Sequence, residues 1–99
     1  MDFDWDAAKA AANRRKHGVS FDEASTAILD PFAIILEDEA HSQLQERRIA
    51  IGMSIRSRTL FVVHLEQDEK TIRIISARKA TANEKRDYED NAKNHFRGF

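Results

Sequence analysis

Between Arg47 and Lys79 the chain falls into three short stretches, Arg47–Ser54, Thr59–Glu66 and Thr71–Lys79, in which apolar residues alternate with basic residues or His. Alternation at period two marks strands with two unlike faces. Immediately afterwards Thr81-Ala82-Asn83-Glu84 spells a capping box, so a helix opens at Thr81 and runs from about Ala82 to Asn94. A small antiparallel sheet followed by a helix is the frame into which the rest of the chain must fit.

The residues before it read as two helices. Asp4 or Asp6 can cap the first, Ala7 to His17, whose basic end Arg14-Arg15-Lys16-His17 suits the helix dipole. Gly18 is the expected left-handed residue after it. Ser20-Phe21-Asp22-Glu23 is a second capping box, opening a helix over Phe21–Leu29 that Asp30-Pro31 ends. Phe32–Leu36 is a short apolar strand, and Glu37–Gln45 reads as an acidic loop. The tail His95–Phe99 carries no clear pattern. The fold class expected is α+β: two N-terminal helices, an antiparallel sheet of about four strands, and a C-terminal helix.

At 99 residues and 41% hydrophobic content, residues 1–99 fit a single domain with one core. With no cysteine, disulfides and thiolate chemistry are excluded. The start Met1-Asp2-Phe3-Asp4 lacks a secretory pattern and no apolar run approaches a membrane span, so the expectation is a soluble, cytoplasmic protein. The net charge of −1 hides a division: residues 1–46 carry 4 Lys/Arg and 10 Asp/Glu, whereas residues 47–99 carry 12 and 7. The basic half suits an anionic partner such as nucleic acid; a solvated, salt-bridged surface is the plainer alternative.

Strand parity separates two faces. If Gln67–Lys70 is a hairpin loop, Glu66 faces Thr71, His64 faces Arg73 and Val62 faces Ile75. If Arg56–Arg58 is the preceding loop, Arg48 lies beside Glu66 and Ala50 beside His64. Ile49, Ile51, Met53, Phe61, Val63, Leu65, Ile72 and Ile74 would then form the face that the helices cover. Arg48, Ala50, Gly52, His64, Glu66 and Arg73 would line an open groove. A slip of one residue reverses the pattern.

The four histidines show no metal-ligand spacing, and there is no phosphate loop, dinucleotide fingerprint or nucleophile elbow, so the reading includes no metal and no cofactor. Metal-free RNA cleavage remains. RNA supplies its own 2′-hydroxyl nucleophile and asks for a base, a cation for the phosphorane charge and an acid. His64, Glu66, Arg73 and Arg78 are candidate catalytic groups; Arg48, Lys79 and Tyr88 are candidate RNA contacts. Each also has a structural reading. His64 can be an ordinary sheet residue, Arg73 or Arg48 can pair with Glu66, and Tyr88 can anchor the last helix. Arg78 falls on the core face by parity, with Lys79 on the open one, unless a bulge re-aims it.

Phe3-Asp4-Trp5-Asp6, Lys16-His17-Gly18-Val19-Ser20-Phe21 and Asp30-Pro31 resemble the front half of BrnT-type toxins. Val62-Val63-His64 and Ile72-Arg73-Ile74-Ile75-Ser76-Ala77-Arg78-Lys79-Ala80-Thr81, with Glu84 and Tyr88, resemble the back half. The resemblance implies a RelE-like fold and the ribonuclease toxin of a type II toxin–antitoxin pair, one that blocks translation by cutting RNA. It implies a BrnA-like antitoxin of the ribbon–helix–helix kind, through which alone operator DNA would be reached. The motif residues it carries over are His64, Arg73, Arg78, Glu84 and Tyr88. A non-catalytic module acting only within a DNA-bound repressor complex is the other reading.

Overall fold

A computed structural model describes residues 1–39 and 46–97, with the backbone alone for Phe96 and Arg97. The elements are β1 (Asp2–Asp4), α1 (Ala7–His17), α2 (Phe21–Ile28), β2 (Ile34–Glu37), β3 (Arg47–Met53), β4 (Thr59–Glu66), β5 (Thr71–Lys79) and α3 (Ala82–Arg97). The sheet has five strands in the order β1-β5-β4-β3-β2. The expectation of about four antiparallel strands is therefore corrected. Asp2–Asp4 precedes the two helices as a strand and pairs parallel to β5, making the sheet mixed. Residues 40–45 of the expected acidic loop, His41 among them, and the last two residues of the tail lie outside the described residues.

Local signals account for the helices. Asp6 caps α1 by accepting from the Lys9 N–H at 2.9 Å, and Gly18 ends it at φ 69°. Ser20 caps α2 by accepting from the Glu23 N–H at 3.1 Å. The Glu23 carboxylate does not return to Ser20. It is buried and takes Arg58 on both oxygens, with the Ser54 hydroxyl donating to it at 2.7 Å. That cluster ties the β3–β4 turn to the start of α2, and Arg58 also donates to the Gly18 carbonyl at 3.1 Å. The Arg58 guanidinium holds the Glu23 carboxyl below its usual range against the opposing effect of burial.

The core consists of Val19, Phe21, Ala24 and Ala27 from the helical side packed on Ala50, Leu60, Val62, Ile74 and Ala77 of the sheet. This overturns the parity assignment of β3 and β4, whereas Ile72 and Ile74 of β5 lie on the helix-covered side as expected. The helices cover the face that carries Ala50, Gly52, Val62 and His64; the face with Ile49, Phe61 and Val63 is left to the other side. The physical reason is closeness of approach. A Cβ on Gly52 would stand 2.2 Å from the Ala27 carbonyl oxygen, so α2 lies almost against the strand backbone. Small residues in β3 and β5 admit the helices, whereas a row of branched residues would hold them off.

Registers differ as well. β3 and β4 pair Arg48 with His64 and Ala50 with Val62, two residues from expectation, because the turn takes in Ser54–Arg58 with Ser57 left-handed at φ 61°. β4 and β5 pair Glu66 with Ile72 and His64 with Ile74, then Val63 with Ser76. Ile75 is the extra residue of a β-bulge, which reverses the parity of β5 from there on.

Beyond Asp4, no strand among the described residues pairs with the outer edge of β5. Asn13, buried in α1, takes over: its amide donates to the Ala77 carbonyl at 2.8 Å and its carbonyl accepts from the Ala77 N–H at 3.1 Å. The amide also donates to the Val19 carbonyl at 3.0 Å. Gly52→Ala should lower stability by about 2 kcal/mol, the usual cost of forcing volume into a packed core, read from the urea midpoint. An unchanged midpoint would show that α2 does not lie against β3 as described.

Candidate nucleic-acid interface

The face away from α1 and α2 is ordered in three rows across β3, β4 and β5: Arg47–Leu65–Arg73, then Ile49–Val63–Ser76, then Ile51–Phe61–Arg78. Its middle is a shallow depression of about 300 Å³ bordered by Asp38, Arg47, Ile49, Phe61, Val63 and Ser76. Apolar floor and cationic corners are what a strand of nucleotides needs: a surface for bases and guanidinium groups for phosphates.

The bulge at Ile75 places Arg78 on this face. Its guanidinium carbon lies 3.8 Å from the centroid of the Phe61 ring. Glu84 holds it from the first turn of α3 with two hydrogen bonds, 2.8 and 3.0 Å. Glu84 closes the expected capping box too, accepting from the Thr81 N–H at 2.8 Å while Thr81 Oγ1 accepts from the Glu84 N–H at 3.2 Å. Arg78 depresses the Glu84 carboxyl below its normal range. Arg73 donates to Asp4 Oδ2 at 2.6 Å, so β1 anchors the other corner. Arg73 and Arg78 are separated by roughly 16 Å along the strand, too far to grip one phosphate together.

The other candidate residues lie elsewhere. His64 is 4% exposed and sits on the helix-covered face between Arg48 and Ile74. Burial pushes its imidazole below the usual range; the nearby Val62 carbonyl and Glu66 oppose this, and Arg48 adds to it. Arg48 and Glu66 pair with each other at 2.9 Å at the margin of that face. Lys79, opposite Leu60, has the same parity and is exposed at the strand end. The expected joint surface of His64, Glu66, Arg48 and Arg73 is thus divided between the two sides of the sheet. Tyr88 is 5% exposed, and its hydroxyl donates to Asp30, so the ring anchors α3 and offers no stacking plane. Burial first and the Asp30 carboxylate second raise its pKa well above the phenol range. Phe61, Arg47 and Asp38 were not singled out from the sequence. Strand alternation gives Phe61 and Arg78 the same parity, but parity alone does not tell the core face from the open one.

Among the described residues no group of three His, Asp or Glu side chains is placed to hold a metal ion, and no helix is long and apolar enough to cross a membrane. The arrangement defines a small α+β domain with an arginine-cornered sheet face. The family model for the ribonuclease toxin BrnT of type II toxin–antitoxin systems matches residues 5–84. The chain belongs to that family, which implies an antitoxin partner and an RNA target. It is also similar in fold to the crystal structure of the Brucella abortus ribonuclease toxin BrnT, with a TM-score of 0.65 and 24% identity, covering 82% of this chain and 97% of that one. A comparison with curated proteins finds no match.

The buried, neutral imidazole carries a pH signature. The unfolded chain binds a proton at His64 near pH 6.5 and the folded one only lower, so stability is full above that value and falls as the pH drops below it. His64→Gln should flatten this part of the stability profile, and an NMR titration of the wild-type ring should give a midpoint below 6.5. A midpoint at or above that value would contradict the placement.

Proposed function

We propose that this chain is an endoribonuclease that cuts RNA by attack of the 2′-hydroxyl on the adjacent phosphate, without a metal, and so stops translation in the manner of RelE-like toxins. The observation that supports it most is the Arg78–Phe61–Glu84 arrangement at the edge of the apolar depression. A fixed guanidinium beside an aromatic plane suits a phosphate and its base, and preorganised charge is the largest lever on a phosphorane-like transition state. RNA brings its nucleophile, so the protein's work is positioning, charge stabilisation and proton transfer.

In this reading Arg78 steadies the reacting phosphate and Arg73, a different distance along the strand, holds a neighbouring one. Asp38, on the wall of the depression, is the carboxylate proposed for a proton transfer. His64, Glu66 and Arg48 are assigned to the stability of the covered face. The proposed partner is a BrnA-like ribbon–helix–helix antitoxin that inhibits by covering the open face, with operator DNA reached only through it.

The experiment is cleavage of a single-stranded RNA in EDTA by the purified protein. Cutting should persist and leave 2′,3′-cyclic phosphate ends. Arg78→Ala should lower kcat about 10²- to 10³-fold, as removal of one transition-state donor does elsewhere. Arg73→Ala should act mainly on KM, and folded His64→Gln should cut normally. Loss of activity in EDTA would rule out the metal-free reaction. An inactive but folded His64→Gln beside an active Arg78→Ala would move the site to the opposite face.

A further inference from the structure

A second surface lies on the helical side, away from the depression. Between α1 and the start of α2 is a groove of about 440 Å³, walled by Trp5, Ala10, Ala11 and Phe21 and flanked by Arg14 and Arg15. Trp5 meets Phe21 edge to face, with centroids 6.0 Å apart, which leaves part of the indole to line the groove. Arg14 and Arg15 are exposed, and among the described residues neither side chain has a carboxylate partner. In that they differ from Arg58, Arg73 and Arg78, each of which holds an acid. α1 itself contains no acidic residue.

We infer that this groove docks an acidic peptide segment of a protein partner, one that packs a single bulky apolar side chain against Trp5 and Phe21 and sets carboxylates against Arg14 and Arg15. Aromatic and arginine side chains together around a concavity are the composition of protein–protein hot spots. A polyphosphate fits less well. Beside the two arginines the lining offers only the Ser20 hydroxyl and the Trp5 indole N–H as polar donors, so the groove lacks the run of cations a polyphosphate needs, whereas its aromatic and alanine walls suit an apolar side chain. Ion pairs at exposed arginines are weak, so the apolar anchor supplies most of the affinity and the arginines supply selection for acidic sequence. The proposal is independent of the reading of the open sheet face.

Trp5 is the sole tryptophan, so its emission reports occupancy directly. The probe is a synthetic peptide rich in Asp and Glu with one central leucine. It is titrated into the whole protein beside the same peptide carrying serine for leucine. A saturable emission change is expected, weakened at least tenfold by the serine, at least tenfold by Arg14→Ala/Arg15→Ala, and progressively by salt. Ala11→Phe should close the groove; all three substituted positions are exposed on α1, and unchanged circular dichroism confirms that these variants fold. No response to the acidic leucine peptide, or a response indifferent to both arginines, overturns the proposal. So does an equal response to a single-stranded DNA oligonucleotide, which would make the surface a polyphosphate site. An emission change that follows protein concentration without peptide would assign the groove to a second copy of the chain, and would overturn it too.

Discussion

The contact between Gly52 of β3 and the Ala27 carbonyl of α2 determines which side of the sheet is interior. A helix can come this near only where the strand offers no side chain, and the neighbouring Ala50 and Ala77 extend that low ground beneath Ala24 and Ala27. The Glu23–Arg58–Ser54 cluster then locks the start of α2 to the β3–β4 turn. A buried charge pair of this kind gives specific geometry more than net stability, since desolvation cancels much of the attraction. Packing chooses the face and the ion cluster fixes the angle. Ile49, Phe61 and Val63, which could as well have been core, are left on the other side.

That choice explains what could be read from the chain and what could not. Caps and breakers act within a few residues, so Ala7–His17, the start at Phe21 and the capping box at Thr81 were legible, as were the limits of β4 and β5. Face assignment was not, because Phe61, Val62, Val63 and Leu65 are apolar on both parities and only the packing partner distinguishes them. Small residues that read from sequence as the floor of a groove are the seat of a helix. The bulge at Ile75 has no local signal such as a glycine; it follows from joining a hairpin at Glu66–Ile72 to a sheet edge that Asn13 holds at Ala77. The parallel strand Asp2–Asp4 is three residues long and draws its pairing from β5, a partner about 70 positions away that no short window contains. Arg73 and Arg78 share one strand and the open face, whereas His64 on the neighbouring strand faces the opposite way.

On the open face each of Arg73 and Arg78 already holds a carboxylate in the free protein. The chain as a whole is slightly negative, so long-range attraction for RNA is slight and recognition depends on local fields. The pairs are half-buried; ion pairs at a protein surface are worth about 0–1 kcal/mol, little enough for a phosphate to share or replace the carboxylate. The carboxylates serve a purpose before that: a guanidinium fixed by two hydrogen bonds over an aromatic ring spends little conformational entropy when a phosphate arrives. Glu84 therefore has two local roles with one geometry, closing the first turn of α3 and aiming Arg78, and both depend on the bulge that turns Arg78 outward.

The depression and the helical groove lie on opposite sides of the sheet, yet a short covalent and hydrogen-bonded path joins them. Arg14 of the groove follows Asn13, and Asn13 holds Ala77, the residue before Arg78. Coupling along such a path requires an element with two arrangements of similar free energy. Asn13 is buried and its amide oxygen and nitrogen are both satisfied, so moving it would leave unpaired polar groups of Ala77 and Val19 inside the protein. The link is accordingly stiff. On the readings proposed above, a partner seated between α1 and α2 would leave Arg78 in place, and an inhibitor of the sheet face would have to cover it directly, because the Asn13–Ala77 link is fully bonded and does not yield.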